Sequence, residues 1–228
     1  NTVTLDDFGQ TDGGVPYIAF QLLEGEGLDQ VIIREAPFAP ERVVHIVSQV
    51  LKSLMEAHEQ GIVHRDIKPA NIFLPELVSE PDFVKVLDFG VAKAVLDGAD
   101  AETALTAAGV VLGSPNYMAP EQVTGAPIGP WTDLYALGLI MAEMVAARLI
   151  VTGKSPVEVA LAQASEQSVA LPDEVLDSPL AEVIRRSTDK RAEARFRSAA
   201  EMLEALRAVS ARLERGRLEL DATVKAPA

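Results

Sequence analysis

From Trp131 to Ala147 the chain is apolar on almost every face of a helix. A helix of that kind is stable in water only when protein surrounds it, so whatever this chain folds into must be deep enough to wrap one helix on all sides. The overlapping stretch Ala136 to Val151 is interrupted by Glu143 and Arg148 and is too short to cross a bilayer, which leaves a buried helix as its reading. With 228 residues, of which 48% are hydrophobic, the chain has enough material for such a core.

The net charge of −14 argues against a phosphate-backbone binder, since no basic stripe is concentrated anywhere, and nucleic acid is not an expected partner. An acidic surface favours solubility and attracts basic peptides or Mg²⁺. There is no cysteine, which excludes disulfides, zinc thiolates and cysteine nucleophiles and fits a reducing cytoplasm. No signal peptide or membrane segment is visible. The chain opens on Asn1 and its first methionine is Met55, so the sequence is expected to continue upstream.

Thr2 to Phe8 and Tyr17 to Leu23 read as two strands joined through Thr11-Asp12-Gly13-Gly14. Pro40 starts a helix whose apolar positions Val43, Val44, Val47, Val50, Leu51, Leu54 and Met55 recur at helical spacing, with Gly61 past its end. Ile72 to Leu74 and Val84 to Leu87 read as short strands, and Ala92 to Gly113 as a long loop of the kind that carries function. Further helices are expected over Pro156 to Glu166, Leu180 to Ser187 and Ser198 to Arg212, with the pattern fraying into a tail over 215–228.

The chemistry sits in His64-Arg65-Asp66-Ile67-Lys68-Pro69-Ala70-Asn71, between the long helix and a short strand. An aspartate that can take a hydroxyl proton, a lysine two residues on and an asparagine five on suit phosphoryl transfer: the carboxylate orients the nucleophile, the ammonium neutralises moving oxygens, and the amide oxygen binds a metal. Asp88-Phe89-Gly90 follows an apolar strand, where a carboxylate can ligate Mg²⁺ and a glycine permits a turn. Gly113-Ser114-Pro115-Asn116-Tyr117-Met118-Ala119-Pro120-Glu121 comes later, in the same order and at compatible spacing.

On these three segments the chain resembles the eukaryotic-like (Hanks-type) serine/threonine protein kinases, in particular the bacterial ones, over roughly Thr2 to Arg212. The resemblance implies an α+β, kinase-like fold: a remnant of the N-terminal lobe over 1–23 with two strands and a hinge, a mainly helical C-terminal lobe with short hairpins over 24–214, and a flexible tail over 215–228. Most of the N-lobe sheet would be absent. It implies ATP and Mg²⁺ as cofactors and protein serines and threonines as substrates. Asp66 would be the base, Lys68 the γ-phosphate contact, and Asn71 and Asp88 the metal ligands. Phe20 would be the gatekeeper, the backbones of Gln21 and Leu23 would meet adenine, and Phe73 would lie under its ring. Arg65 would pair with a phosphate on Thr103 or Thr106. Glu121 and Arg195 would form an ion pair, and Asp133 would hold the catalytic-loop backbone. His64 and Phe89 would pack in a hydrophobic spine, and packing is the expected role of His45 and His58.

No G-x-G-x-x-G occurs, and the first lysine, Lys52, falls inside the long helix, so the parts that grip the ATP phosphates are not in this sequence. The chain alone is therefore expected to be nearly inactive and to need the missing lobe. Two other readings stay open: a half-kinase that binds a partner through its N-terminal edge, and a small-molecule phosphotransferase, against which the long activation segment and peptide platform speak.

Overall fold

The computed structural model describes residues 1–11, 13–77, 80–89 and 114–225, with backbone alone over 219–225. The expected long loop Ala92 to Gly113, with Thr103 and Thr106, lies outside the described residues, as does Gly90.

A hairpin comes first. Strand β1 (Leu5–Gln10) pairs antiparallel with β2 (Pro16–Phe20), in the register Gly9 to Tyr17 and Phe8 to Ile18. Its turn is closed by Thr11 and Gly14: the Thr11 N–H donates to Val15 O at 2.9 Å and the Gly14 N–H to Thr11 O at 2.8 Å. The expected strand beginning at Thr2 is shorter than its apolar run. Residues Asn1 to Val3 lie instead along the lower sheet, where the Val86 N–H donates to Asn1 O at 2.7 Å and the Val3 N–H to Val86 O at 3.2 Å. Side chains hold this segment down: Asn1 Nδ2 donates to Gln49 Oε1 and Val84 O, and the Thr2 and Ser53 hydroxyls are 2.6 Å apart.

The lower sheet has the order β3 (Gly25–Gly27), β4 (Ile72–Pro75), β5 (Lys85–Val86), all antiparallel. Gly25 sits at φ 141°, and a Cβ there would come within 2.3 Å of Leu74 O, so only glycine lets β3 approach β4. Helix α1 (Leu28–Glu35) follows at once and buries Leu28, Val31 and Ile32, an i, i+3, i+4 stripe too short to stand out from the hinge sequence.

Helix α2 (Pro40–Glu59) starts on a proline whose missing N–H is not needed there, and stops where Gly61 takes φ 74°. Its buried face, including Val43, Ile46, Val47, Val50, Leu51 and Leu54, packs in the core with α4 and α8. Among the described residues, α3 (Pro120–Thr124), α4 (Pro130–Ala146), α5 (Pro156–Ala164), α6 (Asp173–Leu176), α7 (Ala181–Ser187) and α8 (Ala199–Lys225) complete the body.

Helix α4 is the apolar segment expected to be surrounded by protein. From Thr132 to Ala142 every residue is buried. Gly138 lets α7 come close, since a Cβ there would be 2.5 Å from Ser187 Cβ. Helix α8 runs past the expected helix end at Arg212: the backbone is helical through Lys225. Leu, Glu, Arg and Ala dominate its last turns, all good helix formers, and Gly216 costs about 1 kcal/mol against alanine, too little to end the helix.

Candidate active site

The loop after α2 is built around one buried carboxylate. Asp133, on the first turn of α4 and 1% exposed, accepts the His64 N–H on Oδ2 and the Arg65 N–H on Oδ1, each at 2.9 Å. Two successive amides can face one carboxylate because Arg65 adopts φ 63°, a left-handed conformation that costs roughly 1–2 kcal/mol. A third partner, His58 at the end of α2, places Nε2 2.8 Å from Asp133 Oδ2. Gln122 on α3 closes the loop from the far side: its Nε2 donates to Arg65 O at 2.7 Å while its Oε1 accepts the Ala119 N–H at 3.0 Å.

His64 is fully buried. Its Nδ1 accepts the Asp66 N–H at 3.3 Å, so the proton belongs on Nε2, which donates to Leu87 O at 2.8 Å. Its ring lies 4.8 Å from that of Phe89. One imidazole therefore links the loop after α2 to the strand that delivers Asp88.

Asp66 emerges from this scaffold half-buried. Its Oδ2 lies 2.8 Å from Lys68 Nζ, and Asn71 Nδ2 donates to Asp66 O at 2.8 Å and to Oδ2 at 3.3 Å. Asn71 is 6% exposed, and its backbone carbonyl oxygen accepts the Leu87 N–H at 2.9 Å, which brings the exposed Asp88 to the same edge at φ 54°. The structure thus gathers Asp66, Lys68, Asn71 and the start of the Asp88 segment.

Asn71 uses its amide N–H on Asp66, which leaves Oδ1 as the acceptor end, and Asp88 adds a carboxylate. These are hard oxygen donors. Among the described residues no group of three or more His, Cys, Asp or Glu side chains could hold a metal alone, so a cation here would be completed by substrate oxygens and water, the habit of Mg²⁺. The residues fit that ion.

At the expected nucleotide edge, the Gln21 N–H donates to Thr4 O at 3.0 Å, and its Oε1 accepts from Lys85 Nζ at 3.2 Å. Phe73 is half-buried on β4, opposite Gly27 and Lys85, while Phe20 ends β2 and is 43% exposed; Leu23 is half-buried.

The segment expected to form the peptide platform is tied down at several points. Arg195, 1% exposed, meets Glu121 through two nitrogens at 2.8 and 3.0 Å, and the Thr132 hydroxyl donates to Glu121 Oε1 at 2.8 Å. The Tyr117 hydroxyl donates to Glu143 Oε2 at 2.6 Å. Burial is the main cause that raises both the Tyr117 phenol and the Glu143 carboxyl above their usual ranges; the nearby Asp29 adds to each, and the hydrogen bond pulls Glu143 partly back. Lys190 is pushed down to about 8 by burial and, second, by the Arg195 charge.

Sequence reasoning misses His58, Gln122, Glu143 and Gln163. Packing is the role it expects of His58, yet the ring shares a hydrogen bond with Asp133, 75 residues away. No local spacing marks such a partner. A cavity of about 520 Å³ between α2 and residues Glu80 to Phe83 contains none of the catalytic-loop residues.

A model of the protein kinase domain matches residues 1–208 of the chain. The serine/threonine-protein kinase pkn3 of Myxococcus xanthus is 44% identical over 167 residues, covering 73% of this chain and 30% of that protein. The serine/threonine-protein kinase PknB of Mycobacterium tuberculosis is 33% identical over 205 residues, covering 88% of this chain and 32% of that protein. The chain thus spans about a third of the length of these curated relatives.

Proposed function

The chain belongs to the protein kinase domain family, and from that premise we propose that it carries the catalytic loop of a serine/threonine kinase, which moves the γ-phosphoryl group of ATP onto serine and threonine hydroxyls of proteins. The observation that carries this reading is the setting of Asp66. Its carboxylate is held between the Lys68 ammonium and the Asn71 amide, on a backbone anchored to a buried aspartate.

The roles follow from the chemistry of each group. Asp66 orients the attacking hydroxyl and accepts its proton as the oxygen bonds to the γ-phosphorus and the bond to the departing diphosphate breaks. Lys68, beside it, offsets negative charge on the transferring oxygens. Asn71 and Asp88 would hold Mg²⁺, which when bound neutralises phosphate charge. Phe20, Phe73 and the backbones of Gln21 and Leu23 would receive the adenine, and Arg65 would answer a phosphate on Thr103 or Thr106. We place the reaction in the cytoplasm, where a cysteine-free chain and ATP are both at home; no described helix is long and apolar enough to cross a membrane.

We further propose that the β1–β2 hairpin is the seat of a second lobe that supplies the phosphate-gripping lysine. Phe8 is 72% exposed, and Leu5, Val15, Ile18 and Leu22 are exposed with it, more apolar surface than a two-stranded hairpin sustains in water. The same surface supports a second reading, a half-kinase that docks a separate protein there. Activity separates the two. Expressed with the coding sequence ahead of Asn1 and given Mg²⁺ and labelled ATP, the protein should label serine and threonine in a generic basic protein. Label on an aminoglycoside alone, or on nothing, rejects the kinase reading.

A further inference from the structure

Helix α5 sends one fully buried polar side chain under the peptide platform. Gln163 is 0% exposed, and its amide is saturated. Nε2 donates to Asn116 O at 2.9 Å and Pro115 O at 3.3 Å, while Oε1 accepts from the Tyr135 hydroxyl at 2.6 Å and from Lys190 Nζ at 3.4 Å. Two donors and two acceptors exhaust what a primary amide offers, and donors facing carbonyls fix which end is nitrogen. Lys190 locks the arrangement by donating to the Gln163 backbone oxygen at 2.9 Å, to Ala162 O at 3.2 Å and to the Tyr135 hydroxyl at 3.1 Å. Tyr135 in turn lies under the Arg195 guanidinium, 4.6 Å from its ring centre. On the far side, Asn116 Nδ2 donates to Val151 O at 2.8 Å.

Pro115 and Asn116 belong to the segment that precedes Tyr117 and α3, and their carbonyls face into the body. Their position is therefore set by a helix that shares no hydrogen bond with Asp66, Lys68 or Asn71 among the described residues. We propose that Gln163 is a positioning residue for the peptide-binding platform, through which α5 sets affinity for the protein substrate without altering phosphoryl transfer. This rests on the kinase reading above. A buried amide that reads two backbone carbonyls cannot be replaced by a carboxylate, which would turn an acceptor toward acceptors, nor by an apolar side chain of the same length, which would take the side-chain donor from Asn116 O and leave Pro115 O with the Met118 N–H alone, at 3.3 Å.

The test compares wild type with Gln163→Met and Gln163→Glu in the protein expressed with its upstream coding sequence. With a serine peptide as substrate, peptide KM should rise about tenfold in Gln163→Met and more in Gln163→Glu, the size expected from one or two lost hydrogen bonds, while kcat and the KM for ATP move less than about twofold. Amide exchange should quicken over 114–118 and stay unchanged in α2. Unchanged exchange over 114–118 in both variants overturns the proposal, as does a fall in kcat together with a rise in ATP KM. If wild type labels no serine or threonine at all, the kinase reading fails and the exchange measurement alone decides whether Gln163 holds the platform.

Discussion

The segment His64 to Asn71 and the β1–β2 hairpin are both short pieces of chain, yet they meet water in opposite ways. In the first, apolar residues such as Ile67 and the adjoining Ile72 point into the body and the polar ones are pinned by named partners: Asp133, Gln122 and Leu87. In the second, Phe8 and Ile18 point outward and the hairpin is held by its own ladder and the Asn1 to Val3 segment. The loop from His64 to Asn71 is fastened by hydrogen bonds to the body beneath it. The hairpin leaves its apolar side chains in water.

That contrast can be broken by substitution. The largest effect is expected at Arg195→Leu, which removes the cation from a pair whose members are 1% and 5% exposed. Leaving Glu121 buried and unpaired should cost about 3–5 kcal/mol in urea denaturation. A loss under about 1 kcal/mol would show that the platform is not anchored there. Next comes Asp133→Asn, which turns an amide N–H toward one of the two backbone donors that the carboxylate accepts. About 2–3 kcal/mol is expected, and phosphoryl transfer should fall with it because one of the His64 and Arg65 amides loses its acceptor. Retained activity would mean that the loop holds its shape without α4. The smallest effect belongs to the hairpin: Phe8→Ser should change stability by less than about 0.5 kcal/mol in this chain, because the ring is 72% exposed. A longer form in which Phe8 is covered should feel the same change more strongly, and equal costs in the two would erase the distinction between the regions.

How much of this the sequence reveals depends on distance along the chain. That Asp66, Lys68 and Asn71 meet is legible because they lie within five residues of one another, and α4 because burial on all faces leaves no polar stripe. The long helix α2 is legible from its period and its proline start. What cannot be read is what joins distant pieces: the Gln163 amide meets carbonyls 47 and 48 residues away, and His58 meets Asp133 across 75. A glutamine or histidine in a helix carries no mark of such a partner. Local pattern also misjudges edges. Thr2 reads as part of the first strand because Val3 and Leu5 follow it, whereas the side chains of Asn1 and Thr2 fasten that segment to Gln49 and Ser53, and α8 outlasts its amphipathic period because propensity alone continues it.

The central claim is that Asp66 takes the proton of the attacking hydroxyl. Asp66→Asn keeps the shape of the side chain, including an oxygen for Lys68 to approach, but removes the basic atom. Measured as label transferred from ATP to serine or threonine by the folded protein expressed with its upstream coding sequence, activity should drop by about 10² to 10⁴ relative to wild type. An Asp66→Asn variant that kept more than about a tenth of the rate would contradict the assignment, since general-base catalysis contributes far more than that factor.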